Sequence, residues 1–200
     1  MNLYPNRRSI RLPYYDYSNP GMYFVTICSF GRECLFGNII NGQMQLNNTG
    51  EILQKIWHEL PERFPNIELD QWVIMPNHVH GIIHILDNPV RGAGSPRPCG
   101  PGPCGFHRPC TDKLKNSIPL DIQTTAGAGT APLRVTLGQM IAYFKYKSTK
   151  RINLLRQTPA VPVWHRNYYE HVIRNEKSLN EIREYILNNT MNWTMDENHP

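Results

Sequence analysis

Long hydrophobic runs are missing from this 200-residue chain. Its most apolar stretches, such as Met22-Tyr23-Phe24-Val25-Thr26-Ile27-Cys28, fall far short of the roughly 20 residues that cross a bilayer, so no membrane-spanning protein is expected. The basic segment Arg7-Arg8-Ser9-Ile10-Arg11 has no apolar stretch behind it. It does not read as a secretory signal, and a cytoplasmic location is expected. Cysteine is scarce and odd in number, five residues at positions 28, 34, 99, 104 and 110, which suits reduced thiols rather than a disulfide framework. An acidic excess is also absent. The 21 Lys and Arg outnumber 16 Asp and Glu for a net charge of +5, a balance that favours polyanions such as nucleic acid.

What is present suffices for one core. Hydrophobic residues make up 40% of the chain, which fits a single domain over residues 1–200. Tyr23 to Cys28 is β-branched and aromatic and follows the turn signal Asn19-Pro20-Gly21, so it reads as a strand. A hairpin is expected through Phe36 to Leu46, turning at Asn41-Gly42, a type I′ signal. Asn48 or Thr49 is positioned to cap a helix running to about Leu60, with Ile52, Ile56 and Leu60 on one side and Pro61 as its stop. Ile67 to Ile74 and His78 to Ile85 are two further strands, joined so briefly by Met75-Pro76-Asn77 that they must be near neighbours.

From about residue 87 to 132, Gly, Pro, Ala, Ser and Thr crowd the chain, and apolar residues are too sparse to bury a face. The segment reads as a flexible insertion. Its Cys99, Cys104, His107 and Cys110 have a spacing that matches no common zinc finger. Beyond it, Thr136 with Gln139 forms a capping box for a helix whose inner face carries Leu137, Ile141, Phe144 and Ser148. Lys145, Lys147, Lys150 and Arg151 make its outer surface basic. They either track phosphates or form a solvated face. After Trp164-His165-Arg166-Asn167-Tyr168-Tyr169, Ser178 with Glu181 reads as a second capping box, opening a last helix that runs to about Asn189. This succession predicts an α+β domain of ferredoxin-like class, an antiparallel sheet with helices packed on one face.

The chemistry-bearing residues lie on the second strand of the pair and on the last helix. Residues two apart in a strand point the same way, so His78 and His80 share a face and two imidazoles can meet one cation, while Val79, Ile83 and Ile85 face the other side. His84 shares the histidine face but lies roughly 13 Å along the strand from His80, too far to join it. Standing alone, His-x-His describes two ordinary histidines on an alternating strand equally well. Tyr185 and Asn189, four apart, stack on one helix face. Asn189 is placed to complete a metal site while Tyr185 reaches a substrate, although the same spacing suits a core tyrosine with a wet hydroxyl.

Four segments in order, Arg7-Arg8-Ser9-Ile10-Arg11, Tyr23-Phe24-Val25-Thr26-Ile27-Cys28, Met75-Pro76-Asn77-His78-Val79-His80-Gly81 and Trp164 through Arg174, resemble the REP-associated tyrosine transposases, a bacterial branch of the HUH superfamily. The likeness covers nearly the whole chain apart from the insertion. It implies a ferredoxin-like transposase that cuts and rejoins single-stranded DNA beside hairpin elements, acting as a monomer or homodimer. His78 and His80 match the paired metal-binding histidines, Tyr185 the nucleophile, and Asn189 the position of a third, amide-bearing ligand. Many relatives continue with Asn-Pro where this chain has Asn189-Thr190.

Tyrosine, with a pKa near 10, needs help to act as a nucleophile. Two imidazoles and an amide oxygen suit Mg²⁺ or Mn²⁺, with open positions for a scissile phosphate. Arg166, Tyr168 and Tyr169 form a basic and aromatic stretch suited to binding DNA. The tyrosines read as stacking partners of unpaired bases or as core side chains, ahead of alternative nucleophiles. A noncatalytic binder of single-stranded nucleic acid is the competing reading, and it would have no use for His78, His80, Tyr185 and Asn189 together.

Overall fold

The computed structural model describes residues 11–12, 14–87 and 135–199. The Gly/Pro-rich segment beyond Asp87, with Cys99, Cys104, His107 and Cys110, lies outside the described residues, as does the basic N-terminal stretch before Arg11.

The elements run in order: β1 (Gly21–Cys28), a short 3-10 turn, the hairpin β2 (Gly37–Ile40) and β3 (Gln43–Leu46), α1 (Asn48–His58), α2 (Leu60–Arg63), β4 (Ile67–Ile74), β5 (His78–Ile85), α3 (Leu137–Arg156), β6 (Tyr169–Ile173) and α4 (Glu176–Asn188), with a final 3-10 turn at Trp193–Met195. The hairpin turns at Asn41 (φ 53°) and Gly42 (φ 75°), the left-handed pair that a type I′ turn requires. Both strands predicted on either side of Met75-Pro76-Asn77 have the expected bounds.

Four strands form one sheet in the order β4-β5-β1-β6, and every neighbouring pair is antiparallel. With α1 between β1 and β4, and α3 between β5 and β6, this is the βαββαβ succession of the expected ferredoxin-like class. Strand alternation sends Tyr23, Val25, Ile27, Val79, Ile83 and Ile85 to one face, where they pack with Leu53, Ile56 and Trp57 of α1 and Leu137, Met140, Ile141 and Phe144 of α3. α2 joins α1 and α3 on that face through Leu60, which belongs to the same cluster. α4 covers the opposite face, because Phe24, Ile82 and Ile173 are apolar there and receive Leu179 and Ile186.

The helix starts show which capping signals win. The Thr136–Gln139 capping box is formed in both directions. At α1 the cap is Asn47, one residue before the expected candidates, its side-chain oxygen accepting from the backbone of Thr49 and Gly50. Pro61 does not end the helical run, since it sits in the first turn of α2, where its missing N–H is harmless. α4 begins at an Asn175 cap rather than at Ser178, whose backbone N–H donates to the Asn175 side chain. Arg183 then ties α4 to β4 by bonding both oxygens of Asp70, at 3.0 and 2.6 Å. Asp70 lies where the β4–β5 register shifts between Leu69 and Trp72. Among the described residues no helix is long and apolar enough to cross a membrane.

Candidate active site

β5 presents His78 and His80 on the face that α4 covers, and both are buried, 0% and 2% exposed. Gly81, the next residue along the strand, has a steric role. A Cβ there would lie 2.4 Å from the Trp57 indole on the other side of the sheet. Glycine at this position lets the large core side chain press directly beneath the histidine strand.

The neighbours of each imidazole dictate which nitrogen is free. The Asn77 side-chain nitrogen donates to the backbone oxygens of Arg32 and Asn198 at 3.0 and 2.6 Å, so its oxygen faces His78 Nδ1, 2.7 Å away. That oxygen only accepts, so the His78 proton belongs on Nδ1, and Nε2 offers a lone pair. His80 Nδ1 lies 2.9 Å from the Thr26 hydroxyl, which can donate or accept. The two Nε2 atoms face each other at 2.9 Å. Burial lowers the His78 pKa to about 4, and burial together with the nearby His78 lowers His80 to about 3. Both rings are therefore neutral at neutral pH, the state in which imidazole binds metal.

α4 delivers the other half. The Tyr185 hydroxyl lies 3.2 Å from His80 Nε2, and Phe24 stacks on His80 at 5.3 Å while meeting the Tyr185 ring edge-on at 6.1 Å. Burial, reinforced by the Asp196 charge, pushes the phenol up to about 12. The ring is half exposed and opens on a cleft of about 570 Å³ that Thr26, Arg32, Tyr168 and Tyr169 also line.

Asn189 is buried, and its side-chain nitrogen donates to Asp196 Oδ2 at 3.1 Å. Its oxygen has no partner. Asp196, which no sequence motif singles out, lies with Oδ2 3.9 Å from His78 Nε2. Ligand atoms of His78, His80 and Asp196 all fall within 4.8 Å of one another. Burial pushes the Asp196 carboxyl up, but the Asn198 N–H and the nearby His78 outweigh it, and the acid stays below the usual carboxylate range. Two neutral nitrogens, one carboxylate and one orphaned amide oxygen make a donor set that fits a divalent ion. Asp196 lies beyond the last helix in a non-periodic stretch and reaches the histidines only through the fold.

The expected DNA-contacting residues separate. Lys147 and Arg151 both pair with Glu59 of the α1–α2 junction. Lys145 Nζ donates to the backbone oxygens of His165 and Asn167, each at 2.9 Å, and burial lowers its pKa to about 8. Lys150 and Arg166 are exposed. Tyr168 carries Arg11 and Lys145 over its ring at 5.3 and 5.6 Å, while Tyr169 is half exposed beside Phe24.

No family model matches the chain. An uncharacterized Haemophilus influenzae protein is 40% identical over 194 residues, covering 96% of this chain and 92% of its own length. Among solved structures, a REP-associated tyrosine transposase bound to a REP hairpin superposes with a TM-score of 0.54 at 15% identity, covering 96% of this chain and 77% of that one.

Proposed function

Since the chain belongs to the same family as the Haemophilus influenzae protein and has the tyrosine-transposase fold, we propose that it is a strand transferase that cleaves and rejoins single-stranded DNA beside hairpins, with Tyr185 as nucleophile. The observation that carries this reading is the Tyr185 hydroxyl 3.2 Å from His80 Nε2, within a buried His78, His80 and Asp196 group.

The phenolic oxygen attacks a phosphodiester phosphorus. An O–P bond forms to Tyr185, the P–O3′ bond breaks, and the phenol proton replaces that bond on the departing 3′-oxygen by way of solvent. The product is a 5′-phosphotyrosyl enzyme with a free 3′-hydroxyl, and the reverse step on another strand rejoins DNA without ATP. A Mg²⁺ or Mn²⁺ ion held by His78, His80, Asp196 and the Asn189 oxygen would polarise the scissile phosphate. Thr26 and Asn77 hold the two rings in register. Phe24 keeps Tyr185 against His80, and Tyr168 and Tyr169 line the cleft where unpaired bases stack. Among the basic residues expected at the DNA, Lys150 and Arg166 are exposed and available to phosphates.

Incubation with a labelled hairpin oligonucleotide and Mn²⁺ is expected to leave a covalent protein–DNA adduct that Tyr185→Phe abolishes. Equal cleavage by the Phe variant would mean that Tyr185 is not the nucleophile.

A further inference from the structure

A second cavity, of about 920 Å³, opens between the C-terminal half of α3 and residues 157–166. Leu154 and Tyr146 line it, yet they are 80% and 68% exposed. Apolar surface gathered in one concavity of this size marks a binding site more often than chance exposure. The rim carries Lys150 and Arg166, and no Asp or Glu appears in the lining.

The walls are preformed. At the C-terminus of α3, Gln157 takes a left-handed conformation (φ 54°) that turns the chain back. Asn153 then donates to the Val161 oxygen at 2.8 Å, Trp164 Nε1 to the Ser148 hydroxyl at 2.9 Å, and Lys145 to the oxygens of His165 and Asn167. A groove whose two sides are already tied together loses little entropy when it is filled.

His165 lines both this groove and the cleft that holds Tyr185, so the two concavities adjoin. We propose that the groove takes unpaired nucleotides of the DNA strand that runs on from the cleft, with bases against Tyr146 and Leu154 and phosphates on Lys150 and Arg166. The proposal rests on the strand-transferase reading and extends it to the flanking strand. An apolar lining beside two cations and no carboxylate matches an unpaired nucleotide, which pairs a flat apolar face with an anionic backbone. Continuity with the cleft favours the same strand over a separate ligand.

Fluorescence anisotropy with labelled oligothymidylate and an abasic strand of equal length separates base lodging from phosphate attraction. The wild-type protein is expected to prefer oligothymidylate by at least about fivefold, and Leu154→Glu and Tyr146→Ala each to lose most of that preference. Both side chains are exposed, so unchanged melting curves should accompany the loss. A wild-type protein that forms the Tyr185 adduct on hairpin DNA, while both variants keep the full preference for bases, would overturn the groove alone. So would a wild-type dimer that Leu154→Glu converts to a monomer, since a second copy would then be the occupant. Failure of the wild type to form any adduct would instead remove the strand-transferase reading, and this proposal with it.

Discussion

Tyr185 approaches His80 and not His78. Its hydroxyl lies 3.2 Å from His80 Nε2, while His78 Nε2 turns toward His80 at 2.9 Å and toward Asp196 at 3.9 Å. The Asp196 carboxylate is also close enough to Tyr185 to help raise the phenol pKa, so the tyrosine, both histidines and the acid form one connected group.

In the proposed mechanism Asp196 is an arm of the metal site. Asp196→Ala is expected to weaken Mn²⁺ binding at least about tenfold, with Asn189→Ala weakening it too, as measured by calorimetric titration. Wild-type affinity in Asp196→Ala would remove the carboxylate from the ligand set and leave the histidines with the amide alone.

Gly81 should tolerate no side chain. Gly81→Ala drives a Cβ to 2.4 Å from the Trp57 ring, and overpacking of this kind costs about 1–3 kcal/mol. Chemical denaturation would read the loss. Combining Gly81→Ala with Trp57→Phe is expected to cost less than the sum of the two single changes, because the smaller ring makes room.

The two candidate caps of α4 are separable by mutation. Asn175 accepts the Ser178 N–H at 2.8 Å, so Asn175→Ala should lower stability by about 1 kcal/mol. Ser178→Ala should stay within about 0.5 kcal/mol of wild type. The opposite ranking in thermal melts would return the cap to Ser178.

Lys145 gives stability a pH dependence of definite sign. Burial lowers its pKa from the usual 10.5 to about 8, so between those values the unfolded chain holds a proton that the folded chain has released. Stability therefore rises with pH across that window, and the full cost of the buried charge is felt below about pH 8. Relative to Lys145→Met, the wild type should gain in urea midpoint as pH climbs from about 8 to about 10. A constant difference between the two proteins would show that the ammonium is not destabilised by folding.

Much of this architecture is legible in the chain. β4 and β5 have the bounds that their β-branched runs and the intervening Pro76 suggest, and the Thr136–Gln139 box caps α3 because its signal is complete within four residues. Tyr185 lies beside His80 and Asn189 beside Asp196, a meeting of strand and helix that the resemblance implies and that neither spacing dictates by itself. What escapes depends on partners distant in sequence. Lys147 and Arg151 read in sequence as a basic outer face, yet Glu59, 88 and 92 residues away, takes both. Asp196 lies outside any periodic element. The side of the sheet chosen by α4 is set by where Phe24 and Ile82 point once β1 and β5 are paired.

β5 is hydrogen-bonded along both edges, by β4 and β1, whereas α4 rests on the small cluster around Phe24 and Ile82 and on the Arg183–Asp70 clamp. The two halves of the site thus differ in opening free energy. Amide protons of β5 should exchange only with global unfolding, and those around Tyr185 well before. A helix that lifts while the histidine strand keeps its spacing would carry Tyr185 and the Asn189 amide at its C-terminal cap away together, while His78 and His80 keep their separation. Tight sheet pairing on one side and lighter packing on the other thereby divide the molecule into an anvil and an arm.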